Sequence, residues 1–216
     1  MSLARTLWTA NADLTAAALA HPFVRGIADG SLPEELFAGY VAQDAFFLEA
    51  FARGYALGVA RSPDRAGLDA FADLLQGVRE ELRLHAGYAA RWGIDLAGVV
   101  PVPATLAYTD FLLATASLGD VGVLCAAMTP CMRLYAHLGA AVAAGAADRY
   151  REWVDAYSTP EFETLAGTLE GLLDRYAGDT VAVREAYRRA MRLEVAFFDA
   201  ALAASASMRP EWAPRL

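Results

Sequence analysis

The chain has 216 residues, 56% of them hydrophobic, and a formal charge of −8 in which all 18 basic residues are arginine. That length suits one sizeable core rather than two, and the acidic balance argues against nucleic acid and anionic membranes as partners. The absence of lysine excludes Schiff-base and lysine–phosphate chemistry. No uncharged apolar run reaches the roughly 18–20 residues of a membrane span, and Met1-Ser2-Leu3-Ala4-Arg5-Thr6 lacks the pattern of a secretion signal, so a cytoplasmic protein is expected.

The hydrophobic pattern is helical nearly throughout, with no run of alternating β-branched residues. A first helix is expected from Leu3 to Ala20, ended by Pro22, followed by a short helical turn closed at Gly30. Ser31-Leu32-Pro33-Glu34-Glu35 reads as a helix start, with a cap, a proline in the first turn and acids at the positive end. This second long helix runs to Ala60. After the turn Ser62-Pro63-Asp64 another continues to Trp92, where Gly93 stops it. Gly98 to Pro103 is a loop. Helices then cover Ala104 to Leu118 and, after Gly119-Asp120, a stretch ending near Gly145. Shorter helices span Arg149 to Ala156 and Pro160 to Tyr176, Gly178-Asp179 turns and caps, and a last helix reaches Ala204. The tail from Ser205 to Leu216, with Pro210 and Pro214, reads as extended. No linker is long enough to divide residues 1–216, so the expected architecture is all-α, a single-domain multi-helix bundle.

Three of these helices carry a polar group on an apolar stripe. In the second long helix Phe37, Tyr40, Val41, Asp44, Phe47, Leu48, Phe51 and Tyr55 share one face. A carboxylate there is costly unless paired or hydrogen-bonded, and Asp44 is either a structural acid bonded to a buried tyrosine or arginine or a functional one. The last helix repeats the pattern with Tyr187, Met191, Glu194, Phe198 and Ala201. Glu194 is either half of a buried salt bridge or an acid/base group displaced from its usual pKa. The third stripe is Leu124, Met128, Cys131, Tyr135 and Leu138.

A buried cysteine ordinarily behaves as a small hydrophobe, the reading that fits Cys125. Cys131 follows Pro130, which disturbs a helix. If the helix breaks there, Cys131 opens a new segment whose start favours a thiolate. Six residues separate the two cysteines on one helix, too badly oriented for a disulfide. Tyr135 lies one turn beyond Cys131 on the same face. Tyr150, Trp153, Tyr157 and Phe162 form an aromatic segment in which Tyr157, at a helix end, can point its hydroxyl into a cavity. Of three histidines, His21 precedes Pro22, His137 stands alone, and His85 follows Glu81 by four residues, a metal-pair spacing without the further ligands a di-iron site needs. No metal is expected.

Taken in order, His21-Pro22-Phe23-Val24 with Gly30, Phe37 through Gln43-Asp44-Ala45-Phe46-Phe47-Leu48, Glu81 with His85, Tyr108-Thr109-Asp110-Phe111-Leu112, Pro130-Cys131-Met132-Arg133-Leu134-Tyr135, Trp153 with Tyr157, Phe162, and Leu193-Glu194-Val195-Ala196-Phe197-Phe198-Asp199 resemble the TenA/thiaminase II family, in its cysteine-containing branch. The resemblance covers nearly the whole chain. It implies the haem-oxygenase-like helical fold, a homotetramer, and a cofactor-free hydrolysis that releases hydroxymethyl-pyrimidine from aminomethyl-pyrimidine or thiamine. It also implies roles: Cys131 as the nucleophile that adds to the pyrimidine ring, Glu194 as acid/base, Asp44 as the group that holds the ring's amino group and a ring nitrogen, and Tyr135, Tyr157, Tyr108 and Phe47 as pocket walls. Phe47 stands where many members have tyrosine. The competing readings are an oxidase on the same scaffold and a protein that binds a pyrimidine without turnover.

Overall fold

The computed structural model describes residues 2–207, and among them every regular element is helical. Ten α-helices follow one another: α1 (Leu3–Ala10), α2 (Ala12–Leu19), α3 (Pro22–Asp29), α4 (Glu34–Arg61), α5 (Arg65–Trp92), α6 (Pro103–Leu118), α7 (Val121–Val142), α8 (Arg151–Tyr157), α9 (Pro160–Tyr176) and α10 (Val181–Ser207), with 3₁₀ turns at Ala143–Gly145 and Asp148–Tyr150 between α7 and α8.

Helix α7 lies at the centre, packed against α9, α10, α8, α6 and α4. Most of its residues from Gly122 to Gly139 are buried, which is why it is apolar on all sides. By length and composition the stretch Val121–Gly145 matches a membrane span, yet it serves as a core helix, largely covered by its neighbours. Helix α4 pairs with α5 along its length and also packs against α6, α10 and α7. The three stripes carrying Asp44, Cys131 and Glu194 are buried as their spacing predicts.

Local chemistry sets most boundaries. Ser2 accepts from the Arg5 amide to start α1, Asp64 from Gly67 to start α5, Asp120 from Val123 to start α7 and Thr159 from Phe162 to start α9. Gly30 ends α3 and Gly93 ends α5 at positive φ, 77° and 66°, the left-handed conformation glycine adopts without strain.

Five expectations are corrected. The first helix is two, because the Asn11 side chain donates to the Leu7 carbonyl at 2.8 Å and competes with the backbone ladder there. Ser31 does not cap α4: its amide donates to Asp29 Oδ1, and Pro33 occupies the cap position. The cap of α10 is not Asp179, which pairs with Arg184, but Thr180, whose hydroxyl accepts from the Val183 amide. Pro130 leaves α7 continuous, so Cys131 is not at a helix start. Finally, α10 extends through Ser207, three residues into the expected tail, and the remainder of that tail lies outside the described residues.

Candidate active site

The three polar anomalies converge. Asp44 from α4, Cys131 from α7 and Glu194 from α10 are 4%, 9% and 2% exposed, all inside one aromatic shell. The Cys131 thiol and the Glu194 carboxyl are close enough for each to act on the other's protonation. Tyr108 from α6 donates to Glu194 Oε1 at 2.6 Å. This phenol takes the place of the arginine that a buried salt bridge would have required.

Asp44 has a different partner from either one its stripe suggested. His85 Nε2 on α5 sits 2.7 Å from Asp44 Oδ2, with both side chains buried. The other ring nitrogen, Nδ1, donates to the Glu81 backbone carbonyl at 3.0 Å, a bond to the preceding turn of α5 that fixes the ring's orientation. The Glu81 side chain accepts from Tyr157 OH at 2.6 Å. The Glu81–His85 spacing is thus used for hydrogen bonding toward Asp44 and Tyr157. Among the described residues no group of three histidine, cysteine or acidic side chains is arranged to hold a metal.

The aromatic wall is continuous. Tyr135 OH lies 3.1 Å from Tyr40 OH, which also accepts from Trp153 Nε1 at 3.3 Å. The rings of Tyr135 and Tyr157 meet edge to face at 4.7 Å, and Tyr157 meets Phe162 at 5.0 Å. On the opposite side Phe47 lies 4.7 Å from Tyr108 and 5.9 Å from Phe197. A cleft of about 140 Å³ bounded by α5, α7, α8 and α9 shares Glu81, Tyr157 and Phe162 with this site, and Leu74, Val78 and Met132 contribute to its walls.

Burial dominates the electrostatics. It pushes Glu194 up to about 8, against the Tyr108 hydrogen bond that holds it down. It pushes Glu81 up to about 7, helped by the nearby Asp44 charge. The Cys131 thiol is raised well above its ordinary value by burial and then by the surrounding carboxyls, so the resting group is a thiol rather than the thiolate a helix start would favour. His85 is the exception in sign. Burial pulls it down, but the hydrogen bond and charge of Asp44, with Glu81, carry it up to about 9. Arg133, two residues from the thiol, pairs instead with Glu170 and Glu163 on α9 and tethers α7 there.

The sequence-derived residues Cys131, Glu194, Asp44, Tyr135, Tyr157, Tyr108 and Phe47 are therefore assembled in one place. Sequence reasoning missed His85 as the partner of Asp44, Glu81 as that of Tyr157, and Tyr40 as the bridge between Tyr135 and Trp153. The available signal was Glu81 and His85 one turn apart; only tertiary packing reveals which carboxylate they address.

Helices closed around a buried thiol and carboxyls form an all-α protein of the haem-oxygenase-like fold. A domain with that fold from Shewanella denitrificans OS217 superposes with a TM-score of 0.77 over 98% of both chains at 15% identity. The chain belongs to the TENA/THI-4/PQQC family, whose signature matches residues 8–204. It is 35% identical over 214 residues to the aminopyrimidine aminohydrolase of Halalkalibacterium halodurans, covering 93% of this chain and 96% of that one. It is 37% identical over 209 residues to the mitochondrial bifunctional TH2 protein of Arabidopsis thaliana, covering 83% of this chain but spanning only 34% of that longer protein. A TenA family transcription regulator from Silicibacter sp. TM1040 superposes with a TM-score of 0.87 at 30% identity, over 93% of this chain and 97% of the other.

Proposed function

We propose that the chain is an aminopyrimidine hydrolase that releases the hydroxymethyl-pyrimidine from aminomethyl-pyrimidine or thiamine through a covalent adduct at Cys131. The observation that carries this reading is the burial of one thiol and two carboxyls, Cys131, Glu194 and Asp44, from three different helices inside one aromatic-walled site.

Asp44 takes the amino group and the neighbouring protonated ring nitrogen, which makes the ring electron-poor. Glu194, in its ionised form, removes the Cys131 proton as sulfur bonds to a ring carbon, and the displaced electron pair settles on the protonated ring nitrogen. Glu194 then passes that proton to the leaving nitrogen, and the C–N bond breaks as the ring pushes its pair back. The carboxylate next takes a proton from water, whose oxygen bonds to the exocyclic carbon. Sulfur leaves the ring and recovers its proton from Glu194. One carboxyl can act in both directions because its pKa lies close to the working pH. Tyr135, Tyr157, Tyr108 and Phe47 form the walls against which the flat ring stacks.

The same reading places the protein in the cytoplasm, supported by its two unpaired, buried cysteines, and assembles it as a homotetramer, for which the exposed Leu68, Leu118 and Val181 offer apolar surface. The test is product release from aminomethyl-pyrimidine and thiamine, side by side, by wild type and Cys131→Ser. Wild type should release hydroxymethyl-pyrimidine, and Cys131→Ser should bind substrate without turning it over. Wild-type rates in Cys131→Ser would remove the nucleophile from this scheme.

A further inference from the structure

The two nitrogens of His85 face two oxygens of different kinds. Nδ1 lies 3.0 Å from a backbone carbonyl, which can only accept, so Nδ1 carries hydrogen. Nε2 lies 2.7 Å from Asp44 Oδ2. A neutral imidazole would present a bare nitrogen to that carboxylate, two acceptors in close contact inside the core. The pair therefore holds one proton more than a neutral histidine and a carboxylate.

We propose that His85 is the buried imidazolium of this site, a positioning residue that keeps Asp44 ionised and fixed so that Asp44 recognises the aminopyrimidine ring in its protonated, amidinium form. The proposal rests on the reading of Asp44 as the ring-binding group and adds to it the charge state of both partners. An aminopyrimidine protonated on the ring nitrogen beside its amino group presents two parallel N–H donors, which match the two oxygens of a carboxylate. Oδ2 can accept from His85 and from the ring together, because it has two lone pairs. A protonated Asp44 would instead bind the neutral ring, donating to the ring nitrogen and accepting from the amino group.

The surroundings leave His85 as the group that balances Asp44. The titratable groups around the His85–Asp44 pair are Tyr40 from α4, Glu81 and Tyr88 from α5, Cys131 and Tyr135 from α7, Tyr157 from α8, Glu194 from α10, and Glu161 from α9 on the adjoining cleft. All are carboxyls, phenols or a thiol. On α5, Arg83 is exposed to solvent and Arg91 is engaged with exposed Glu152. Without His85, Asp44 would be a buried carboxylate among further carboxyls, and such a group takes up a proton.

The two cases differ in proton count. Wild-type protein should take up about one proton when it binds neutral hydroxymethyl-aminopyrimidine, so affinity should fall about tenfold per pH unit above the ring's own pKa. In His85→Gln, Asp44 already holds the proton, so uptake and slope should disappear. Calorimetry of hydroxymethyl-aminopyrimidine binding, repeated in buffers of different ionisation enthalpy and across pH, reads both. A slope equal in the two proteins, or none in wild type, overturns the proposal; a merely structural role for His85 would weaken binding and leave the slope. Nitrogen-15 NMR of the wild-type histidines reads the charge state without any variant, and with only three histidines assignment is direct. Both His85 nitrogens protonated at neutral pH supports the proposal, and a bare Nε2 overturns it. If hydroxymethyl-aminopyrimidine does not bind at all, the proposed function fails, and the NMR result still decides the charge of His85.

Discussion

Tyr108 and Glu194 come from helices that are far apart in sequence, α6 and α10, yet the phenol donates to the carboxyl at 2.6 Å and steadies its ionised form in a buried site. The bond opposes burial, which alone would drive the carboxyl further above about 8. Tyr108→Phe removes the donor and leaves the ring's packing against Phe47. Since the proposed first step uses ionised Glu194, the acid limb of kcat/KM should move to higher pH in this variant, with a loss of about tenfold at neutral pH for each unit the limb moves. A pH–rate profile of substrate hydrolysis checks this; an unmoved limb would detach Tyr108 from the chemistry.

Three buried groups make stability depend on pH with one sign. Glu81 and Glu194 hold their protons more tightly in the folded protein, with pKa values of about 7 and about 8. The stability this contributes is fully present below the unfolded value of about 4.5 and is lost as pH rises through those folded values. His85, at about 9, contributes stability fully present below about 6.5 and lost as pH rises through about 9. Thermal melts should therefore show Tm falling from about pH 5 to about pH 9. Glu194→Gln should flatten the curve below about pH 8, by about 1.4 kcal/mol for each tenfold difference in proton affinity removed, or about 2–4 °C per kcal/mol in a chain of this size.

The sequence was most informative where a side chain's period alone reports its environment. Asp44, Cys131 and Glu194 stand on stripes that have to be buried, and burying an ionisable group demands a partner. What the stripes could not name was the partner, because His85 reaches Asp44 from 41 residues away and Tyr108 reaches Glu194 from 86. Helix boundaries were legible where a cap is a local bond, as at Asp64, Asp120 and Thr159. They were misread where a side chain chose a different neighbour, as Asn11 did with Leu7 and Asp179 with Arg184. Pro130 suggested a break from its missing donor alone; packing on nearly every side of α7 keeps that helix whole.

Phe47 is buried against Tyr108, the phenol that holds Glu194, and lacks a hydroxyl of its own. Phe47→Tyr adds a donor beside the Tyr108–Glu194–Cys131 cluster. One added hydrogen bond contributes about 0.5–1.5 kcal/mol, so kcat should rise about 2–10-fold while the melting curve stays nearly unchanged. Steady-state kinetics on aminomethyl-pyrimidine and thiamine check it, and a Tm drop with no gain in rate would show the hydroxyl buried without a partner.

Gly139 is where α7 meets the residue that closes the aromatic wall. A Cβ there would stand 2.6 Å from the Tyr157 carbonyl carbon and 2.7 Å from its oxygen, and backbone atoms cannot swing aside as a side-chain tip can. Gly139→Ala must push α8 outward, and Tyr157 with it. Overpacking of this kind costs about 1–3 kcal/mol, so Tm should fall by about 2–12 °C. The shift should also stretch the 2.6 Å bond from Tyr157 to Glu81 and raise KM, with a smaller effect on kcat, because Cys131 and Glu194 do not ride on α8. Gly167→Ala on α9 is the matched control: its Cβ would meet nothing within 4 Å, and alanine in a helix interior is favoured over glycine by about 0.8–1.0 kcal/mol. That variant should melt higher than wild type and keep its KM. Thermal melts and substrate titrations of the two variants separate the close contact at Tyr157 from the general effect of adding a methyl group to a helix.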